Sequence, residues 1–172
     1  VNTAGFTVQY GPNPETLDPS LNSAVDGANT IITIFEPLLI INENNEVIGG
    51  QAESWEASED GLTWTFTMRD GLKWSDGKDL TAKDFEFAWK RAASSELGAD
   101  YGYMFEVIKG YTADGSDPKA ENLAVTAVDN KTLTVTLNNP VAYWNELLAF
   151  PAYMPVRGRP ILPPTSAMAR TP

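Results

Sequence analysis

The sequence predicts an α+β fold made of antiparallel hairpins and two capped helices, and three features support that prediction. Apolar residues alternate with threonines over residues 62–68 (LTWTFTM), a period of two that is typical of a strand with one buried face. Asp-Gly pairs at 60–61, 70–71 and 76–77 favour tight turns between such strands. From residue 80 onward the apolar spacing becomes helical.

The N-terminal part of the chain predicts a strand, a crossing segment, a helix and another strand. The stretch FTVQYG alternates like a strand, and the prolines after it predict an extended or turning crossing. A short helix is expected over residues 26–35, with Ile31, Ile34 and Phe35 on one face. LLIIN, residues 38–42, is expected to be a buried strand that ends at the polar turn ENNE.

The best-marked helix is predicted to begin just after Thr81. Thr81 is placed to cap the helix, and Asp84 is placed to return a hydrogen bond to the capping residue and to favour the positive helix end. The predicted apolar face consists of Phe85, Ala88, Trp89 and Ala92. This segment therefore combines a turn and a helix start without intervening loop.

A second hairpin and a second capped helix are expected farther along the chain. LAVTAVDNKTLTVTL should turn near Asp129 and Asn130, with the apolar residues of its second half facing inward. Asn139 and Pro140 are typical of a helix start. The helix after them would carry Val141, Trp144, Leu147 and Leu148. Residues 94–122, between the two halves, are expected to combine one short helix with a loop.

Composition excludes several classes of function. The 172-residue chain has no cysteine and no histidine, which removes thiol chemistry, disulfides, His-based zinc sites and Ser-His-Asp triads. Its net charge of −11 argues against nucleic-acid binding, since phosphate recognition needs cations. The longest apolar run, residues 30–41, contains Glu36 and Pro37 and is too short to cross a bilayer. We expect no cofactor and no metal, and an enzyme is disfavoured.

Three groups of side chains are candidates for binding or chemistry, and each has a structural alternative. Exposed Trp55 or Trp74 could stack on sugars, whereas the other tryptophans lie on apolar stripes and are expected in the core. Four carboxylates could pair as in a glycosidase, although exposed strand and turn positions explain them better: Glu53, Glu56, Glu59 and Asp60. An aromatic cluster could line a binding loop or form a small satellite core: Tyr101, Tyr103 and Phe105.

Several motifs together resemble a known family. The resemblance is carried by the upstream stretches ETLDPSLN and FEPLL, the central stretch AESWEASEDGLTWTFTMRDGLKWSDGKDLTAKDFEFAWKR and the downstream stretch AVDNKTLTVTLNNPVAYWNELLAFPAYMPV. These stretches stand in the order and spacing found in oligopeptide-binding proteins of ABC importers. These belong to the extracellular solute-binding proteins that also bind dipeptides, nickel and pheromone peptides. The resemblance covers residues 6–157.

The resemblance implies an α/β fold of the periplasmic-binding-protein type, class II, in which two lobes close on a ligand; this chain corresponds to part of lobe one. Residues 1–41 would belong to the sheet-containing subdomain, residues 42–150 would form the smaller α+β subdomain, and residues 151–157 would re-enter the sheet as a strand. Residues 158–172 have no carboxylate and are rich in proline and arginine, so we expect a disordered or non-native tail.

The resemblance also implies a function. Family members capture extended oligopeptides by main-chain hydrogen bonds between two lobes and deliver them to a membrane permease, outside the cell or in the periplasm and in some cases lipid-anchored. At the matching positions, Ser23, Ala24 and Val25 would supply backbone pairing to the peptide, and Tyr101 would line its pocket. No catalytic residue is implied.

Two further expectations and two alternatives follow from the same resemblance. A chain with only part of one lobe is expected to bind peptides weakly or not at all, and to self-associate through the apolar surface that the rest of the lobe would cover. The alternatives are a carbohydrate-binding member of the same family and an oligomerising interaction module. A hydrolase is the weakest candidate.

Overall fold

The structure, a computed structural model, describes residues 11–158 and contains a four-stranded antiparallel sheet packed against one central helix, with a separate two-stranded antiparallel sheet. The helices are α1 (Val25–Ile34), α2 (Ala82–Ala93) and α3 (Trp144–Leu147), with 3₁₀ helices at Gly102–Val107 and Pro151–Tyr153. The strands are β1 (Leu39–Ile41), β2 (Val47–Gly49), β3 (Ala52–Ala57), β4 (Thr63–Met68), β5 (Val125–Ala127) and β6 (Thr132–Thr136). Within this range no helix is long and apolar enough to span a membrane. The strand predicted in FTVQYG lies outside the described residues.

The larger sheet has the strand order β3-β4-β6-β5, and every neighbouring pair in it is antiparallel. The β3–β4 hairpin turns at Asp60-Gly61, where Gly61 has a φ of +69°, a conformation that glycine adopts without steric cost. Phe66 stands opposite Leu133 in the β4–β6 pair, and both side chains are fully buried. The predicted period-two strand and the predicted second hairpin are therefore confirmed.

Helix α2 is the scaffold of the described structure, and its predicted start is confirmed. The Asp84 carboxylate accepts a hydrogen bond from the backbone N–H of Thr81 at 2.8 Å, which completes the capping interaction. The predicted apolar face is buried, with at most 1% exposure at Phe85, Ala88, Trp89 and Ala92.

The aromatic core is centred on Trp89. Its ring packs edge-on against Tyr153, with the ring centroids 5.1 Å apart, and its indole N–H donates to the Tyr153 carbonyl at 2.8 Å. The Tyr153 hydroxyl donates to the carbonyl of Met104 at 2.7 Å, and burial raises the pKa of Tyr153. Trp144 and Phe105 complete the cluster. These contacts fix the segment after α3 onto α2, and they confirm that Trp89 and Trp144 are core residues.

The predicted helix start at Asn139 and Pro140 is wrong. The α3 helix begins only at Trp144, after a bend at residues 138–139 and a turn at residues 142–143, and the bend lies beside the first 3₁₀ helix. There, the backbone N–H of Asn138 donates to the Val107 carbonyl at 2.9 Å, and its side-chain amide donates to the Glu106 carbonyl at 2.9 Å. In the segment 151–157, which is predicted to re-enter the sheet as a strand, the first residues form the 3₁₀ helix Pro151–Tyr153, and the segment forms no strand with the described residues. Its assignment to the sheet-containing subdomain stays a prediction.

Helix α1 confirms the predicted helix, but its predicted apolar face is only partly buried. Ile31 is fully buried, whereas Ile34 is 58% exposed. Phe35 is half-buried and already has extended backbone angles (φ −119°, ψ 153°), so it does not continue the helical spacing. Strand β1 is buried only at its start, because Leu39 is fully buried and Ile41 is 46% exposed.

Candidate functional site

The segment predicted to pair with a ligand, Ser23 to Val25, lies on the surface at the start of α1. All three residues are exposed, and Val25 is 75% exposed. Ala24 is the N-cap residue and has extended backbone angles (φ −105°, ψ 145°). The backbone N–H groups of the three residues make no hydrogen bond to any atom of residues 11–158. The N–H groups of Ala24 and Val25 belong to the unsatisfied donors that every helix start leaves, and all three groups are free to donate to an external acceptor.

The conformation of this segment is fixed from within by Asn22 and Gly27. The buried side-chain amide of Asn22 donates to the carbonyl of Ala24 at 3.0 Å. A Cβ atom at Gly27 would lie 1.9 Å from the Asn22 side-chain oxygen, so only glycine permits this packing. No motif in the sequence marks either residue, because their contact crosses the start of the helix and follows no periodicity.

An ion pair anchors the preceding turn to α2. The Asp18 carboxylate accepts two hydrogen bonds from the Arg91 guanidinium, at 2.6 and 3.0 Å, and a third from the backbone N–H of Ser20 at 3.0 Å. The Asp18 side chain is only 6% exposed. The two residues are 73 positions apart, and no local pattern in the sequence indicated their pairing. The turn that precedes the candidate segment is therefore held on helix α2.

Tyr101 lies at the start of the first 3₁₀ helix and is half-buried. Its ring packs edge-on against Phe150, with centroids 5.1 Å apart, and lies 6.2 Å from the ring of Tyr103, which is 57% exposed. Phe105 is fully buried, so the predicted aromatic cluster divides into a core residue and a surface pair. Four cavities of the described residues are lined neither by Tyr101 nor by residues 23–25.

The other candidate side chains have structural roles. Trp55 and Trp74 are half-buried and pack against the hydrophobic core rather than forming an open platform. The Asp60 carboxylate accepts hydrogen bonds from the Ser58 hydroxyl and the Leu62 backbone, which lowers its pKa, the opposite of what a general acid needs. Among residues 11–158 no group of three acidic side chains could hold a metal ion.

Comparison with known families shows which family the chain belongs to. Residues 46–168 match the family of bacterial extracellular solute-binding proteins, family 5 (middle part). The chain belongs to this family. The match runs into the tail 158–172, most of which lies outside the described residues, so the expected non-native origin of that tail stays a prediction.

Individual relatives agree with this assignment. The chain is 46% identical to the oligopeptide-binding protein OppA of Bacillus subtilis (strain 168), over 88% of this chain and 28% of the relative. It is 36% identical to the probable deoxycholate-binding periplasmic protein YgiS of Escherichia coli (strain K12), over 88% of this chain and 29% of the relative. The crystal structure of Haemophilus influenzae OppA in complex with RPPGFSPFR superposes with a TM-score of 0.81 at 33% identity, covering 86% of this chain and 29% of that one.

These matches confirm the predicted family resemblance and the predicted two-lobe fold class, of which this chain has a part. The chain spans less than a third of the length of the relatives it matches. The predicted extracellular or periplasmic location agrees with the family description and with the name of the Escherichia coli relative.

Proposed function

We propose that this chain provides part of the ligand-binding lobe of the substrate-binding component of an ABC peptide importer. The observation that carries the proposal is the exposed segment 23–25, which packs through Asn22 and Gly27 and whose backbone N–H groups make no hydrogen bond within the described residues. The oligopeptide-binding names of close relatives support peptide as the ligand class. The family description, extracellular solute-binding proteins, supports a non-enzymatic function outside the cytoplasmic membrane. Lipid anchoring of the full-length protein is part of the proposal.

The proposed mechanism is addition of an extended peptide to the backbone at the start of α1. The N–H groups of Ser23, Ala24 and Val25 donate to main-chain carbonyls of the ligand, which every peptide has regardless of its sequence. Main-chain pairing thus gives affinity with little side-chain selectivity. The Asn22 and Gly27 packing holds the segment in its conformation before the ligand arrives, so binding does not require the segment to be ordered.

Tyr101 is proposed to contact a ligand side chain from the smaller subdomain. Phe150 supports its ring from behind at 5.1 Å, and Tyr103 leaves an exposed aromatic edge beside it. Such a surface contacts apolar and aromatic side chains without requiring a particular hydrogen bond.

Weak binding by this chain alone is a consequence of the same mechanism. In a two-lobed protein, closure excludes water from the peptide's hydrogen bonds and supplies the second set of contacts. A single face leaves those hydrogen bonds in competition with water, and each then contributes only about 1 kcal/mol. Delivery to a membrane permease is a proposed role of the full-length protein.

The test uses the helix start itself. Proline is tolerated at the first helical position, and the extended Ala24 before it is compatible with proline, so Val25→Pro should remove one backbone donor without breaking α1. We expect Val25→Pro to weaken binding of RPPGFSPFR roughly fivefold, as loss of one net hydrogen bond predicts. The matched control Val25→Ala keeps the N–H and should bind within about twofold of the original chain.

Binding is measured by the concentration dependence of amide chemical shifts, which reports dissociation constants in the millimolar range. Peptide-dependent shifts should be concentrated at residues 23–25 and at Tyr101. Equal affinity of the proline and alanine variants would refute the backbone role. A saturable response to deoxycholate or an oligosaccharide but none to the peptide would refute the ligand class. The sugar alternative is disfavoured because Trp55 and Trp74 pack against the core.

A further inference from the structure

Five aspartates of the chain are followed directly by glycine, and each such pair can rearrange to isoaspartate with water as the only co-reactant. The pairs are Asp26-Gly27, Asp60-Gly61, Asp70-Gly71, Asp76-Gly77 and Asp114-Gly115. Glycine favours the reaction because it has no Cβ to obstruct the approach of its nitrogen to the aspartate side chain. The five pairs are alike in sequence, so the folded structure decides which of them reacts.

The rearrangement proceeds through a cyclic succinimide. A bond forms between the glycine nitrogen and Cγ of the aspartate, a C–O bond of the carboxyl group breaks, and the amide proton leaves with the hydroxyl as water. Hydrolysis then adds water back and opens the ring at either carbonyl, which gives aspartate or isoaspartate. The carboxyl must be protonated for its oxygen to leave as water, and the backbone must rotate for the nitrogen to reach Cγ. Hydrogen bonds to either group therefore slow the reaction.

Two of the pairs have a glycine N–H that is already engaged. The Gly61 N–H donates to the Ser58 carbonyl at 2.8 Å, and the Gly77 N–H donates to the Trp74 carbonyl at 2.8 Å. Both turns must open before the nitrogen can attack.

The carboxylates of the same two pairs are also held. The Asp60 carboxylate accepts a hydrogen bond from the Ser58 hydroxyl at 2.5 Å, and the Asp76 carboxylate accepts one from the Arg157 guanidinium at 2.6 Å. These hydrogen bonds lower the pKa of Asp60 and of Asp76, because they stabilise the charged form. The protonated carboxyl that reacts is therefore scarce at both positions.

Asp26 and Asp114 are restrained in other ways. Asp26 lies in the first turn of α1, where the helix fixes its backbone, and Gly27 after it is buried. Hydrogen bonds from the hydroxyl and the backbone N–H of Ser116 lower the pKa of Asp114.

Asp70-Gly71 lacks these restraints within residues 11–158. The Gly71 N–H makes no hydrogen bond there, and a Cβ atom added to Gly71 would meet nothing within 4 Å. The Asp70 carboxylate pairs with the Lys131 ammonium, but the two side chains are 84% and 49% exposed, and an exposed pair restrains its members little. We propose that Asp70 is the residue at which this protein forms isoaspartate in its folded state.

The rest of the fold tolerates the change at this position. Isoaspartate adds one methylene group to the main chain between β4 and residues 72–80. The Arg69 N–H donates to the Gln51 carbonyl at 2.9 Å, and the Leu80 N–H donates to the Leu72 carbonyl at 3.1 Å, so the chain is anchored on both sides of the turn. The product has the same mass and the same net charge as the original chain, and neither property reveals it.

The experiment incubates the 172-residue chain at neutral pH in water labelled with heavy oxygen and locates isoaspartate by electron-transfer fragmentation of its peptides. Hydrolysis of the succinimide introduces the label, so only products of this route carry it. Each hydrogen bond that must open lowers the rate by about fivefold. We therefore expect isoaspartate to accumulate at least about tenfold faster at Asp70 than at Asp76. In urea, where the chain is unfolded, the two positions should react within about threefold of each other.

Two glycine variants form a matched pair. Gly71 and Gly77 have φ values of +73° and +82°, and an added Cβ meets nothing within 4 Å at either position. The backbone strain of an alanine is therefore similar in both variants. Gly71→Ala should lower isoaspartate at Asp70 at least about tenfold, whereas Gly77→Ala should leave it unchanged.

Three results would overturn the proposal. One is a folded chain that forms isoaspartate at Asp60, Asp76 or Asp114 as fast as at Asp70. Another is absence of isoaspartate at Asp70 in the folded chain over a time in which the chain in urea is converted. The third is a yield at Asp70 that Gly71→Ala leaves unchanged, or that Gly77→Ala lowers equally.

Discussion

Replacing Arg91 by methionine tests whether the turn before α1 is held by its ion pair with Asp18. Methionine keeps most of the apolar stem of arginine and removes the guanidinium. In the variant, the Asp18 carboxylate loses two of its hydrogen bonds, at 2.6 and 3.0 Å, and keeps the one from the Ser20 backbone. Because the Asp18 side chain is only 6% exposed, water cannot replace the lost donors.

The expected loss of stability follows from this burial. Removing one partner of a buried ion pair costs about 3–5 kcal/mol, since the remaining charge is left uncompensated. Arg91 is 23% exposed, so its guanidinium is partly hydrated and the pair is not fully buried. We therefore expect Arg91→Met to lower the free energy of unfolding by about 3 kcal/mol. In the double variant Asp18→Asn with Arg91→Met, part of this loss should be recovered because no charge remains buried.

The measurement is urea unfolding at neutral pH, and the chain provides a matched control. Arg69 pairs with Glu36 at the same distance, 2.6 Å, but the two side chains are 45% and 42% exposed. Exposed pairs contribute less than about 1 kcal/mol, so Arg69→Met should change stability little. The reasoning would be refuted by equal effects of the two substitutions. Hydrogen exchange should increase at residues 16–22 in Arg91→Met and remain unchanged in Arg69→Met.

Two further predictions concern the core and its edge. Trp89→Phe should lower the free energy of unfolding by about 2–4 kcal/mol in thermal or urea unfolding, since it leaves a cavity and an unpaired Tyr153 carbonyl; a loss below about 1 kcal/mol would contradict this. For Glu86, burial acts to raise the pKa, but hydrogen bonds from Lys90 and the Ala127 backbone outweigh it and hold the pKa below its usual range. As pH falls, Glu86 therefore becomes protonated in the unfolded chain before it does in the folded chain. The original chain should be more stable than Glu86→Gln by a constant amount above about pH 5, and this difference should disappear as the pH falls through the lowered pKa. A difference that stays constant down to about pH 2 would contradict the prediction.

The parts of the fold that can be predicted are the helices, strands and turns whose sequence pattern lies within a single element. The alternation over residues 62–68 and the helical spacing after Thr81 each lie within one element, and side-chain burial follows directly from their periods. The turn at Gly61 needs a positive φ, which the Asp-Gly pair indicates. The start of helix α3 is not predictable in this way, because it depends on Asn138, whose partners lie some 30 residues earlier in the chain. Local capping rules cannot include such a contact.

The family resemblance and the chemistry of the residues point to different parts of the site. The residues themselves gave no chemical reason to choose residues 23–25 as a binding segment; that choice came from the resemblance, and it stays a prediction. Tyr101 was marked by both, as an aromatic residue in a loop and by its matching position. The structure adds that the ring of Tyr101 is supported by Phe150, a contact between segments that the sequence does not display.

The weak sequence signal of the candidate site has a physical reason. Its proposed binding atoms are main-chain N–H groups, which every residue except proline has, so the side chains of residues 23–25 carry no distinctive chemistry. The specific feature of the site is the conformation of that backbone. It depends on the packing of the Asn22 side chain against Gly27 and on the ion pair between Asp18 and Arg91. In a site of this kind the side chains that matter for binding are those that shape the backbone. Substitutions at Gly27 or Arg91 should therefore impair peptide binding more than alanine substitutions within residues 23–25.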